Sequence, residues 1–334
     1  MRVAVFSTKP YDKHYLDLAN SGQDHEFVYF ESSLRLKSLR LAENFDAVCV
    51  FVNDLISEEV IKGLAEQGVK LLVLRCAGFN NVDIESADNY GIRVLRVPSY
   101  SPTAVAEHTV ALIMTLNRKT HKAYNRVREG NFSIERLTGF ELSNKTVGII
   151  GTGRIGASFA RIMNGFGSKV IAYDQFPNES LQNILEYAPM EEVFKQADVL
   201  SLHCPLTPET FHLINKDSLQ LMKKGVMIVN TSRGKLIDTE AVINGLKEGK
   251  VGYLGIDVYE QEERLFFKDL SESIILDDKI MRLMTFPNVL ITAHQAYFTD
   301  NALTQIANTT VQNLTGFEKG ILPEQNEVTL EMVH

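Results

Sequence analysis

Thr146-Val-Gly-Ile-Ile-Gly-Thr-Gly-Arg-Ile-Gly156 puts a G-x-G-x-x-G turn directly after an apolar run. Gly151 can make the tight turn that leaves a strand, Gly153 removes the side chain that would block a phosphate pair, and Gly156 lets the next helix close on the sheet. A helix that starts there aims its N-terminus at an anion. Glycine spacing alone is weak, so the flanks decide. The helix after Gly156 reads to about Phe166, Gly167 can cap it, and Lys169-Val-Ile-Ala-Tyr173 reads as the next parallel strand with Asp174 at its end. Asp174 stands 23 positions after Gly151. A carboxylate there accepts from both hydroxyls of an adenosine ribose and repels a 2′-phosphate, so NAD is the expected cofactor, not NADP.

Outward from this turn, both flanks show parallel α/β patterning. Before it, apolar strands are expected at Arg2 to Ser7, Glu26 to Phe30, Ala47 to Phe51, Lys70 to Leu74 and Arg93 to Val97. After Val147 a second series follows near Val170, Val199, Val226 to Val229, Tyr253 to Ile256 and Val289 to Thr292. Ser101 and Pro102 open a helix, Thr103 to Leu116, that is apolar around nearly its whole circumference and should be buried. A similar helix from about Asn301 to Leu314 should return to the first unit. The expected fold is therefore two α/β parallel-sheet domains of Rossmann-like or flavodoxin-like type. A substrate domain, 1–100 plus 299–334, holds an inserted NAD-binding domain, 101–298, with the active site in the cleft between them.

Composition narrows the function classes. The 334 residues, 45% hydrophobic, supply two domains, and the net charge of −8 with scattered Lys and Arg disfavours a nucleic-acid surface. Met1-Arg-Val-Ala-Val-Phe6 turns polar too early for a signal peptide and no apolar run suits a membrane span, so a cytoplasmic protein is expected. Cys49, Cys76 and Cys204 are odd in number and lie in apolar surroundings. Reduced core thiols fit them better than disulfides or a metal cluster, and no metal is expected.

Three charged residues fall at carboxyl ends of strands in the second series, where reactive groups of such folds gather. Arg233 follows Gly225-Val-Met-Ile-Val-Asn230, and Gly234 beside it permits a sharp turn. Glu262 follows Gly255-Ile-Asp-Val-Tyr259, and His294 follows Asn288-Val-Leu-Ile-Thr292. A guanidinium fork suits a carboxylate, and a carboxylate beside His294 would favour imidazolium, the form that donates a proton. Each alone has an ordinary structural explanation; all three at the ends of one sheet suggest hydride exchange with a 2-oxo acid. His203 is the rival histidine, read with Cys204-Pro205 as cofactor wall, and His108 is expected to make an interhelical hydrogen bond. His14, His25, His121, His212 and His334 have no catalytic context.

Taken with the runs Leu74 to Asp83, Val97 to His108, Asn230 to Asp238, Gly255 to Glu260 and Pro287 to His294, the chain resembles the D-2-hydroxyacid dehydrogenase family, nearest its bacterial fermentative D-lactate branch. The resemblance spans essentially the whole chain. It implies Arg233 as the substrate-binding cation, Glu262 as partner of the acid and His294 as proton donor in reducing pyruvate with NADH. It places the substrate carboxylate on backbone amides at Ala77 and Gly78, with Tyr100 and Tyr297 lining the pocket. Cofactor contacts fall on Gly151, Gly153, Arg154, Ile155, Gly156 and Asp174, then on Cys204, Pro205, Thr210, Thr231, Ser232 and Asp257. Many family members have proline where this chain has Ala293, which bears on the turn before His294. A homo-oligomer packed through the helix from Ser101 and the segment Lys122 to Phe132 is also implied. Three alternatives stay open: a dehydrogenase for a larger 2-oxo acid, a phosphoglycerate-type enzyme, and an NAD-sensing corepressor-like binding protein. The phosphoglycerate type fits poorly with the short segment after the return helix, and the corepressor with the lack of disordered extensions.

Overall fold

The computed structural model describes residues 1–332; positions 333 and 334, and so His334 at the end of the expected C-terminal segment, lie outside the described residues. The chain forms two units, Met1–Ser101 with Phe298–His334, and Pro102–Tyr297. These junctions lie one residue from the expected ones.

In the first unit β1 (Arg2–Val5), β2 (Glu26–Tyr29), β3 (Ala47–Val50), β4 (Leu71–Leu74) and β5 (Arg93–Leu95) form a parallel sheet in the order β2-β1-β3-β4-β5. Every residue of β3 and β4 is buried, as expected for parallel strands covered by helices on both faces. Burying each of the four aliphatic side chains of β4 contributes about 1.5–3 kcal/mol. The return helix Asp300–Glu318 belongs to this unit and sets Ala307 and Leu314 against Val3, Val5 and Leu71. Thr299 caps it by accepting from the Ala302 amide.

In the second unit β6 (Thr146–Ile150), β7 (Lys169–Tyr173), β8 (Glu186–Tyr187), β9 (Val199–Leu202), β10 (Val226–Asn230), β11 (Val251–Ile256) and β12 (Val289–Ile291) form a parallel sheet. Its order is β12-β11-β10-β9-β6-β7-β8. Strand order reverses where β6 lies between β7 and β9, the position at which such sheets bind ligands beyond their carboxyl ends. The helix Pro102–Arg118 buries Ala106, Leu112, Ile113 and Leu116 against Val147, Ile149, Val199 and Val229. The edge strand β8 was not expected, because two residues carry no alternation to read. Next to these buried elements, the helix Thr120–Arg128 buries nothing, and Tyr124, Val127, Phe132 and Ile134 are exposed. Among the described residues no helix is long and apolar enough to cross a membrane.

Candidate active site

The three glycines of the turn after β6 are needed for three different reasons. Gly151 takes φ +93°, a left-handed conformation, and a Cβ on it would stand 2.7 Å from the Cys204 amide nitrogen. A Cβ on Gly156 would stand 2.0 Å from the Gly151 carbonyl oxygen, so the helix Arg154–Gly165 could not close on the turn. A Cβ on Gly153 would meet no atom within 4 Å. The space there is open, at the N-terminus of a helix begun by Arg154 and Ile155, as a pyrophosphate requires. Asp174 at the end of β7 is fixed by Thr152, whose amide and hydroxyl donate to Oδ2 at 2.5 and 2.9 Å, while the Phe176 amide donates to Oδ1 at 2.8 Å. Carboxylate oxygens have lone pairs to spare for ribose hydroxyls. These residues fit a dinucleotide, and Thr152 is a member of the site that sequence reading missed.

The segments after β9 and β10 are tied to each other and to the protein by the side chains expected to touch cofactor. Ser232 Oγ donates to the Cys204 carbonyl at 2.7 Å, Thr210 Oγ1 to the Pro205 carbonyl at 2.8 Å, and the buried Thr231 hydroxyl pairs with Thr109 at 2.8 Å. Cys204 is a buried thiol, pushed up to about 11 by burial, so it is a neutral spacer and not a nucleophile. His203 packs 5.0 Å from the Phe159 ring with Nε2 2.9 Å from Ser201 Oγ. Desolvation pushes its pKa down to about 3, so the ring is neutral at ordinary pH.

The ends of β10, β11 and β12 carry Arg233, Glu262 and His294. His294 Nδ1 lies 2.9 Å from Glu262 Oε1. A carboxylate can only accept, so Nδ1 carries the proton and Nε2 faces outward, with no hydrogen-bond partner among the described residues. Glu262 is held in turn, its Oε2 accepting from the Tyr259 amide at 2.9 Å, while Tyr259 is anchored through its hydroxyl to Asp277. Arg233 is half-buried and its Nη1 donates to the Ser232 carbonyl at 2.9 Å. The sharp turn expected beside it is present, a 3-10 turn over Gly234–Leu236. The φ of Gly234 is not left-handed; a Cβ there would stand 2.1 Å from the Tyr259 carbonyl carbon, so glycine is required by close backbone approach.

His294 itself has φ +54°, an unusual conformation for a non-glycine residue. Asp257 sustains it. The Asp257 carbonyl accepts from the His294 amide at 2.7 Å, and its carboxylate accepts from Thr292 Oγ1 at 2.5 Å and the amides of Gln295 and Ala296 at 2.9 and 2.8 Å. Burial pushes the Asp257 carboxyl up, but hydrogen bonds from His108, Thr292 and those two amides outweigh it and hold it below the usual carboxylate range. His108 reaches Thr292 Oγ1 at 3.1 Å, a strand-end loop and not another helix, which corrects the interhelical bond expected for it. His212, given no context by sequence, pairs with Glu260 at 2.8 Å, and Glu260 also accepts from the Thr239 amide.

In the first unit the loop after β4 carries Ala77 and Gly78, whose backbone N–H groups donate to no described residue. Both N–H groups are therefore available as donors. Tyr100 stands beyond the end of β5, and Tyr297, buried, ends the second unit.

Residues 110–296 match the sequence profile of the D-isomer specific 2-hydroxyacid dehydrogenase NAD-binding domain. The chain belongs to that family: it is an NAD-dependent oxidoreductase acting on D-2-hydroxyacids, and NAD is its cofactor. It is 51% identical to D-lactate dehydrogenase of Escherichia coli over 321 residues, 96% of this chain and 98% of that one. The apo-structure of the Escherichia coli D-lactate dehydrogenase superposes with a TM-score of 0.90 at 48% identity, covering 98% of this chain and 100% of the other. The pyruvate reductase of Chlamydomonas reinhardtii superposes with a TM-score of 0.91 at 44% identity, covering 97% of each.

Proposed function

We propose that this chain reduces pyruvate to D-lactate, with His294 as the proton donor. The observation that carries the reading is the Glu262–His294 pair, which leaves Nε2 available at the same sheet end as Arg233. Bound NADH supplies a hydride from C4 of its nicotinamide. Arg233 takes the substrate carboxylate and orients C2 of the oxo acid. As hydride reaches C2, charge builds on the carbonyl oxygen, and His294 Nε2–H donates its proton there. Glu262 keeps the ring oriented through its contact with Nδ1. Reduction takes up a proton and oxidation of D-lactate releases one, so raising the pH moves the equilibrium toward oxidation.

Aromatic bulk at Tyr297, buried at the end of the second unit, supports a methyl side chain on the substrate. The names of the Escherichia coli and Chlamydomonas relatives point the same way. A pocket discriminates each methylene by only about 1–3 kcal/mol, so 2-oxobutyrate should remain a slower substrate. The test is the specificity constant for NADH oxidation across pyruvate, 2-oxobutyrate, a branched 2-oxo acid and phenylpyruvate, with chiral analysis of the product. Pyruvate should lead and give the D-isomer; a larger value for the branched acid, or L-lactate as product, would remove the assignment.

The reading extends to a cytoplasmic homo-oligomer. Exposed Tyr124, Val127, Phe132 and Ile134 on and after the helix Thr120–Arg128 supply an apolar surface for a second copy, and three buried cysteines outside any disulfide suit a reducing compartment.

A further inference from the structure

The loop after β4 is supported from behind by a residue with no role so far. Arg96 follows β5, and its backbone is fixed on both sides: its amide donates to the Asn326 carbonyl at 2.8 Å, and its carbonyl accepts from Asn313 Nδ2 at 3.0 Å. The next residue, Val97, donates its amide to the Cys76 carbonyl at 3.1 Å, so this stretch is registered directly against the loop. From that base the guanidinium extends over the Phe79 ring, 5.1 Å from its centre, and Nη1 donates to the Ala77 carbonyl at 2.9 Å. Among the described residues Arg96 Nε is buried with no hydrogen-bond partner, and Nη2 meets the Met332 sulfur at 4.0 Å. The strong hydrogen bond of this half-buried cation among those residues is therefore to the Ala77 oxygen.

That oxygen belongs to the same peptide group as the Gly78 N–H. In a planar trans peptide the C=O and the N–H point in opposite directions, so a donor fixed on one side sets where the other side aims. A charged donor on the carbonyl also polarises the amide and strengthens its N–H as a donor. The Gly78 N–H donates to nothing among the described residues. We propose that Arg96 is a positioning residue for substrate anion binding: it orients and polarises the Ala77–Gly78 peptide so that the Gly78 amide receives the carboxylate of the 2-oxo acid. The proposal rests on the reading that these amides hold that carboxylate. Arg96 touches no substrate in this arrangement and acts only through the peptide.

Selectivity for the anion isolates this role. The ratio of kcat/KM for pyruvate to that for methyl pyruvate, which lacks the charge, is measured by NADH oxidation at raised enzyme concentration for the wild type, Arg96→Met and Arg96→Lys. The ratio should fall about tenfold in Arg96→Met, mainly through a higher KM for pyruvate, and recover to within about threefold in Arg96→Lys, whose ammonium restores a charged donor. Binding of NADH, followed by its fluorescence, should stay within about twofold, since the glycine turn and Asp174 lie in the other unit. If both substrates lose activity together, the residue only packs the loop and the proposal is wrong; an unchanged ratio with full activity overturns it equally. A wild-type ratio near one would show that no carboxylate is held, and the underlying reading would fail before Arg96 is tested.

Discussion

The carboxyl edges of the two sheets do chemistry in different currencies. At the edge of the first sheet, side chains largely bond one another: Arg75, 2% exposed, bonds to Asp12 at 3.1 Å and to the Ser7 carbonyl at 2.9 Å, with its Nη1 left without a hydrogen-bond partner among the described residues, and buried Asp54 accepts from Ser7 Oγ and from the amides of Leu34 and Phe51. This edge also leaves backbone unmet among the described residues, the amides of Ala77 and Gly78. At the edge of the second sheet the unmet groups include side chains, above all Nε2 of His294, beside the open amides at the start of the helix Arg154–Gly165. Gly156 and Gly234 are packed so tightly that a methyl group has no room, while Gly153 faces open space. A backbone amide offers fixed polarity without a proton to give, and an imidazole offers a proton. The first edge is thus suited to hold an anion and the second to change it.

This contrast can be broken at the glycine turn. Gly156→Ala forces a methyl carbon to within 2.0 Å of the Gly151 oxygen unless the backbone moves, so it should cost about 2 kcal/mol of stability even after the better helix propensity of alanine. Its urea midpoint should fall. Gly153→Ala adds the same methyl where nothing lies within 4 Å, so the urea midpoint should hold. The methyl group occupies the space expected for the pyrophosphate, and NADH affinity should drop about tenfold, or about 1.4 kcal/mol. Equal effects of the two substitutions on stability would contradict the division between glycines that close the turn and the glycine that leaves room.

A smaller effect sharpens the difference between the two histidines that follow strands of the second sheet. Folded His203 resists protonation until about pH 3, while an unfolded histidine takes a proton near 6.5. Between those values the unfolded chain binds more protons, so stability falls as pH drops through this window. From pH 6.5 to 5 the half-buried ring should account for about 1–2 kcal/mol of that loss. His203→Gln should lack this component in paired urea titrations at the two pH values. A variant with the undiminished acid sensitivity of the wild type would show that the ring is not held neutral.

Much of this was legible in the sequence, and for identifiable reasons. The glycine turn, Asp174 and the apolar strands announce themselves through local spacing, because each depends on residues within one βαβ unit. Arg233, Glu262 and His294 could be named because each follows a strand that periodicity locates. What escaped depends on contacts between distant segments. Thr152 matters only because Asp174 lies 22 residues away in sequence and 2.5 Å away in space. The need for glycine at 234 comes from Tyr259, and His108 finds Thr292 across 184 positions. Arg96 gives no sequence signal at all, since its partner is a backbone carbonyl, present at every position.

The central claim is that His294 delivers the proton. His294→Gln keeps a polar side chain of similar reach without a titratable ring, and its kcat for pyruvate reduction at saturating NADH and pyruvate measures that claim directly. We expect a loss of about 10³-fold, within the range general acids contribute, with NADH affinity unchanged within about twofold. Near-normal turnover under those conditions would contradict the assignment.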